Sequence, residues 1–325
     1  MKNSITYWLK RLILIVLLLV QVGSINGTER GLAETEITSV ENEQGQEFIN
    51  SWRRVIDNPV VRLDLPSLEK LAKILDPIRS PKLLDAGFNE SFMKSFIKKM
   101  NDNGSLYSDI ADPGKNNGLQ VLLNSIEKME GLTDAAKLPL VRSGLQSTDI
   151  AQLRGELFRL RRCEDYGWEN LRALEEYIKA APNSGYTKGR HPDISPLTPP
   201  PHFIETKYYS ILLREKTVDA FAKQLHKDLL DVFRIIDEGI VDAPTAFKSY
   251  LYEFKKSSEI TSNSVLAKQV EDIFTKSPWK DQLINGKPLS TIKIELDNLF
   301  IQKSGGNFED LLDFIFESNA FKVID

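Results

Sequence analysis

Cys163 is the only cysteine in the 325-residue chain and stands in the run Arg-Leu-Arg-Arg-Cys-Glu-Asp. The guanidinium groups of Arg161 and Arg162 could lower its thiol pKa. A cysteine nucleophile also needs a base, and no histidine is near it in sequence. A structural thiol is the expectation. The three histidines, His191, His202 and His226, are too few for a His-based metal cluster, and one cysteine makes neither a disulfide nor a Cys-rich zinc site. No His-Glu-x-x-His helix, phosphate-binding Gly loop, dinucleotide Gly pattern or Gly-x-Ser-x-Gly elbow is present. Asn101-Asp-Asn-Gly-Ser105 lacks the alternating ligands and closing Glu of a calcium loop, and reads as a turn. Asp and Glu are plentiful, but nothing in their spacing selects a catalytic pair. The motifs therefore predict a protein without enzymatic activity, metal or cofactor.

Binding chemistry has better candidates. Arg154, Arg159, Arg161 and Arg162 form the densest basic stretch, and Arg154 and Arg161, seven apart, share a helix face. Such a face could hold anionic phospholipid headgroups or an acidic partner. Glu156, Glu164 and Asp165 are interspersed, so an ordinary solvated face is the alternative. Asn89 and Asn103 each open an Asn-x-Ser sequon that a eukaryotic secretory route could glycosylate. The formal charge of −4 gives no basic footprint for nucleic acid, which is not expected as a partner.

The beginning of the chain bears on where these residues act. Lys2, Lys10 and Arg11 precede the apolar run Leu12–Val22, which is followed by small and polar residues to Gly27. A basic start, a short apolar stretch and small residues predict a secretory signal peptide over 1–27. The run is shorter than the roughly 20 residues of a membrane-spanning helix. Removing 1–27 takes away three basic residues and no acidic one, leaving a net charge of −7. Residues 28–45 are polar and acidic and read as a flexible leader.

Within that leader, Arg30, Leu32 and Glu34 form Arg-x-Leu-x-Glu. This element resembles the export signal of malaria-type parasites and a degenerate form of the Arg-x-Leu-Arg leader of oomycete effectors. Trp279 followed by Pro288, Ile292 and Leu296 is similar to the first half of the oomycete effector bundle. The resemblance implies a secreted α-helical effector delivered into a host cell, where it binds a host protein or membrane component.

The remaining elements read as helices. An apolar fraction of 41% with 27% charge describes a globular chain. Helical spacing of apolar residues predicts helices at 66–75, 91–100, 119–129, 217–237, 244–256, 264–275, 289–302 and 307–317. Trp52, Trp168 and Trp279 sit among apolar helical positions and are expected in the core. Ile150, Leu153, Leu157 and Leu160, and beyond a polar break Leu171, Leu174, Ile178 and Ala181, follow a heptad seam. The seam could pack internally or form a homodimer. Residues 182–203 carry six prolines and read as a linker.

The two sides of that linker resemble each other. Arg54–Val61 matches Arg234–Val241, Pro66–Lys70 matches Pro244–Lys248, and Asn89–Met100 matches Asn263–Phe274 in the same order. The expected fold is therefore all-α. It has two tandem, duplicated helical bundles, 46–147 and 204–325, joined by a heptad-patterned segment at 148–181 and the Pro-rich linker. The expected function is that of a secreted, non-enzymatic effector. The alternatives are a helical carrier or surface antigen, which requires a large apolar cavity, and a secreted enzyme of an unrecognised helical class, which requires convergent carboxylates in a cleft.

Overall fold

A computed structural model describes residues 51–52, 65–104, 106, 118–132, 137–179, 186, 189, 191–198, 201, 203–239, 242–304 and 310–325. The signal peptide, the leader with Arg30, Leu32 and Glu34, and the Arg54–Val61 octet lie outside them. The chain divides into two compact units, Met1–Thr148 and Asp149–Asp325.

The described part of the first unit is helical. It comprises α1 (Leu65–Ile74), α2 (Pro81–Asp85), α3 (Glu90–Asp102), α4 (Gly118–Lys128) and α5 (Leu138–Gln146). In α3 the spacing of Phe92, Phe96 and Met100 does what it predicts, and all three side chains are buried. Asn89 caps that helix by accepting from the Phe92 amide at 3.0 Å. Helix α2 begins with a proline and receives its capping acceptor from elsewhere. The Glu130 carboxylate accepts from the Lys82 and Leu83 amides at 3.2 and 3.0 Å.

The second unit is mixed α/β, which corrects the all-α expectation. Its order is α6 (Ile150–Tyr166), β1 (Leu171–Leu174), β2 (Ile194–Pro196), β3 (Phe203–Lys207), α7 (Glu215–Asp237), α8 (Ala243–Lys248), β4 (Tyr250–Lys255) and α9 (Asn263–Thr275). There follow the hairpin β5 (Leu283–Ile284) and β6 (Lys287–Pro288), α10 (Leu289–Lys303), α11 (Leu311–Glu317) and β7 (Phe321–Ile324). Five strands form one sheet in the order β1-β2-β3-β4-β7. The β1/β2 and β2/β3 pairs are antiparallel, and β3/β4 and β4/β7 are parallel.

Three features overturn the helical reading. Helix α6 ends at Gly167, whose φ of +79° is one that side-chain-bearing residues rarely adopt. Leu171 and Leu174 of the heptad seam therefore lie in strand β1. Leu153, Leu157 and Leu160 of α6 and Leu171 and Leu174 of β1 are all buried inside the chain. The Pro-rich segment holds β2, an internal strand of the sheet, rather than a connection between bundles. The span 244–256 splits into a six-residue helix and β4, in which Tyr250, Tyr252 and Phe254 alternate with Leu251 and Glu253.

The duplication falls with it. Pro66–Lys70 lies in α1 and Pro244–Lys248 in α8, but α8 leads into the central strand β4. Between α1 and α3 the described chain holds only the helix α2.

Helices cover both faces of the sheet. On one face the hydroxyl of Tyr250 donates to Asp231 of α7 at 2.6 Å, and Tyr252 donates to Asp228 of the same helix. On the other, Glu253 is fully buried and accepts from Arg162 Nε of α6 at 2.6 Å and from the Tyr166 hydroxyl at 2.6 Å. Trp168 is buried and Trp279 packs at the core's margin.

Candidate active site in the second unit

In a strand, residues two apart share a face. Glu205 and Lys207 of β3 therefore point together, toward α7, while Thr206 points to the other side. Glu205 is 1% exposed and Lys207 8%. The Lys207 ammonium donates to Glu205 Oε2 at 2.8 Å, and Gln224 Nε2 of α7 donates to the same oxygen at 2.7 Å. The ammonium also lies 5.8 Å from the centre of the Tyr252 ring.

Asp193, at the start of the neighbouring strand, meets Thr206 on the other side of β3. Its Oδ2 accepts from the Thr206 amide at 2.7 Å and from the Thr206 hydroxyl at 2.8 Å. These two bonds fix the carboxylate against β3. Burial would lower the pKa of Lys207, but Glu205 and Asp193 outweigh it and hold the lysine charged.

Helix α6 supplies the other wall. Glu156 and Arg159 are three apart, so they share its face. The Arg159 guanidinium, 1% exposed, donates to Glu156 and to Glu175, and its Nη1 lies 3.6 Å from Asp193 Oδ1. Glu175 follows β1 with φ +54°, a left-handed conformation uncommon outside glycine. Its carbonyl is held by His191 Nδ1 at 2.8 Å. Burial, partly offset by Arg159, raises the pKa of Glu156 to about 7.

These walls enclose a cleft of about 390 Å³, lined among others by Gly155, Glu156, Arg159, Asp193, Lys207 and Tyr208. Gly155 leaves open space where a side chain would stand. Four carboxyl groups, Glu156, Glu175, Asp193 and Glu205, interact here with two cationic groups, Arg159 and Lys207. With all of them ionised, the cluster has an excess of two negative charges. Among the described residues, no group of three or more His, Cys, Asp or Glu side chains is disposed to hold a metal ion. A hard cation that keeps part of its water shell needs only one or two carboxylates.

The residues singled out from sequence are placed differently. Arg159 is buried and ion-paired, and Arg162 pairs with Glu253 and with Asp165 at 2.5 Å, so the four arginines do not form one exposed basic face. Arg154 and Arg161 are half-buried on α6. Asn89 is exposed at its cap position, and Asn103 is half-buried with its amide donating to the Lys99 carbonyl at 3.0 Å. Cys163 is buried, and burial pushes its thiol pKa up, away from reactivity. The sequence reading passed over Asp193 and the Glu205-Thr206-Lys207 triplet. The available signal was an acid and a base at strand spacing, twelve residues beyond the Asp of a Pro-Asp pair. No helix of the described residues is long and apolar enough to cross a membrane. No protein-family model, curated protein or solved structure matches the chain.

Proposed function

We propose that the second unit hydrolyses phosphodiester bonds of nucleic acid with the help of a divalent cation. The carrying observation is that Glu156, Asp193 and Lys207 line one cleft, with Glu205 paired to Lys207. Two carboxylates offer the hard oxygen ligands that Mg²⁺ takes when its other positions are filled by water and substrate phosphate. Such an ion supplies Lewis-acid polarisation and a more acidic water.

The chain's own groups have distinct tasks in this reading. Asp193, pinned by both Thr206 donors, would offer its Oδ1 to such an ion. Glu205, bonded by Gln224, holds the Lys207 ammonium. Lys207, kept charged by its carboxylate neighbours, faces the negative charge that builds on the phosphoryl oxygens. Tyr208 in the cleft wall offers a ring on which a base can stack. The surplus of carboxylates would repel a polyanion unless a bound cation offset it. The net charge of −4 argues against nucleic acid only as a whole-chain average, and the cleft acts locally.

The reading as a non-enzymatic binder rests on the leader resemblance and the missing motifs; the convergent carboxylates favour the enzyme alternative. The apolar cavity beside Leu225, Phe247 and Phe321 is about 10 Å³, room for one water at most, and gives the carrier alternative no support. The chain from Thr28 onward is expected to cleave DNA or RNA with Mg²⁺ or Mn²⁺ and not with EDTA. Asp193→Asn, Glu205→Gln and Lys207→Met should each reduce cleavage at least about 100-fold. A wild-type chain inert on both polymers with either ion would overturn the reading. Secretion and host delivery are part of the proposal, supported by residues 1–27 and by Arg30, Leu32 and Glu34. Fusing residues 1–45 to a reporter tests them, and a reporter retained in the producing cell would refute them.

A further inference from the structure

We propose that Asn89 is an N-glycosylation site of the secreted chain and that Asn103 is not, because the fold uses opposite ends of their side-chain amides. This inference rests on the secretion reading, since the sugar donor, a polyprenyl-diphosphate oligosaccharide, is met on a eukaryotic secretory route. The two asparagines flank one helix. Asn89 precedes the first residue of α3 and Asn103 follows its last. A helix N-terminus presents amide donors, so only the side-chain oxygen of Asn89 can cap it. Its Oδ1 accepts from the Phe92 amide at 3.0 Å, and its Nδ2 makes no hydrogen bond to the described residues. A helix C-terminus presents carbonyl acceptors, so there the nitrogen must serve. Asn103 Nδ2 donates to the Lys99 carbonyl at 3.0 Å. Asn89 and Ser91, the first and third residues of one sequon, are both exposed, whereas Asn103 is half-buried.

The chemistry of attachment makes this difference matter. A bond forms between Nδ2 and the anomeric carbon of the first sugar. The bond from that carbon to the diphosphate oxygen breaks, the diphosphate leaves with its electron pair, and Nδ2 gives up one proton. The carboxamide oxygen takes no part and keeps its lone pairs. A glycan on Asn89 therefore leaves the cap of α3 intact and grows from an exposed nitrogen that the fold does not use. On Asn103 the sugar joins the atom that closes the helix end, and it competes with the bond to Lys99. Sugar transferred before folding leaves the fold to select among the products. A chain glycosylated at Asn89 folds as the free chain does, and one glycosylated at Asn103 is depleted from the secreted population.

The full chain, produced in a eukaryotic cell and collected from the medium, provides the test. Peptide:N-glycosidase in heavy-oxygen water turns each glycan-bearing Asn into a labelled Asp. The tryptic peptides Leu83–Lys94 and Met100–Lys115 then report the two sites separately by mass spectrometry. Label at 89 is expected in most of the chain, with occupancy at 103 at least about fivefold lower. Asn89→Asp keeps an equally good capping oxygen, and Ser91→Ala keeps Asn89 itself. Each is expected to fold, to lose the label at 89 and to lose the mobility shift that the glycosidase removes from the wild type. A secreted chain without label at 89, or with occupancy at 103 equal to that at 89, overturns the proposal. A full chain retained in the cell overturns the secretion reading instead. The chain from Thr28 onward behind an unrelated signal peptide then decides between the two asparagines by the same pair of peptides.

Discussion

Glu156 shows how strongly the cleft acts on a single residue. An ordinary glutamate titrates near 4.5, and burial beside two other carboxyl groups raises this one to about 7 despite Arg159. A carboxyl whose folded pKa exceeds its unfolded value binds its proton more readily when folded. Its contribution to stability is therefore full below pH 4.5 and is lost as pH rises through 7. The loss is at most roughly 3 kcal/mol, from about 1.4 kcal/mol per pKa unit. Chemical denaturation between pH 5 and 8 should show the wild type losing stability relative to Glu156→Gln, which cannot ionise. Parallel curves for the two proteins would show that Glu156 is charged throughout. Cys163, two turns along the same helix, is shifted upward by burial as well. With its thiolate disfavoured by burial, it should resist alkylation at pH 8 until the protein is denatured, as timed mass spectrometry would reveal.

At the scale of elements, the legibility of the sequence depends on which forces shaped each segment. Helices α7, α9 and α10 bury one apolar stripe each, so their limits fall within two residues of the predicted ones. The strands were hidden for different reasons. Strand β3 reads Phe-Ile-Glu-Thr-Lys, and the alternation that should reveal it is interrupted by Glu205 and Lys207, the very residues of the site. Strand β2 lies between prolines, and β4 follows α8 so closely that a helical window covers both. The site was illegible because spacing alone cannot bring Asp193 to β3; the antiparallel β2/β3 pairing does that.

Element packing also carries its own test. Helix α6 is tied to the sheet through Glu253, which is fully buried and bonded by Arg162, Tyr166 and Lys322. Arg162→Ala leaves that carboxylate without its largest compensation and should cost about 3 kcal/mol, whereas Glu253→Gln in the same background should restore part of the loss. Thermal melts of the two variants would decide it; equal stability of Arg162→Ala and wild type would mean that the pair holds nothing.

For the whole molecule, the two units differ in kind. The described part of the first is helical, and the site groups all come from the second, between Ala151 and Gln224. Asp149–Asp325 spans 177 residues, enough chain to bury a core of its own. That core is continuous from Leu212 to Phe321 and includes the aromatic group Phe221, Tyr252, Phe254 and Phe321, whose ring centres lie 4.6 to 6.5 Å apart. A fragment comprising residues 149–325 should therefore fold in one cooperative transition and bind Mn²⁺ with the affinity of the longer chain. If the first unit serves in targeting or partner binding, its removal leaves cleavage of a short oligonucleotide within about twofold, because the described cleft groups all lie in the second unit. A fragment that folds cooperatively yet loses cation binding would show that the site is completed from outside Asp149–Asp325. That result would move the search for catalytic groups to the helical unit.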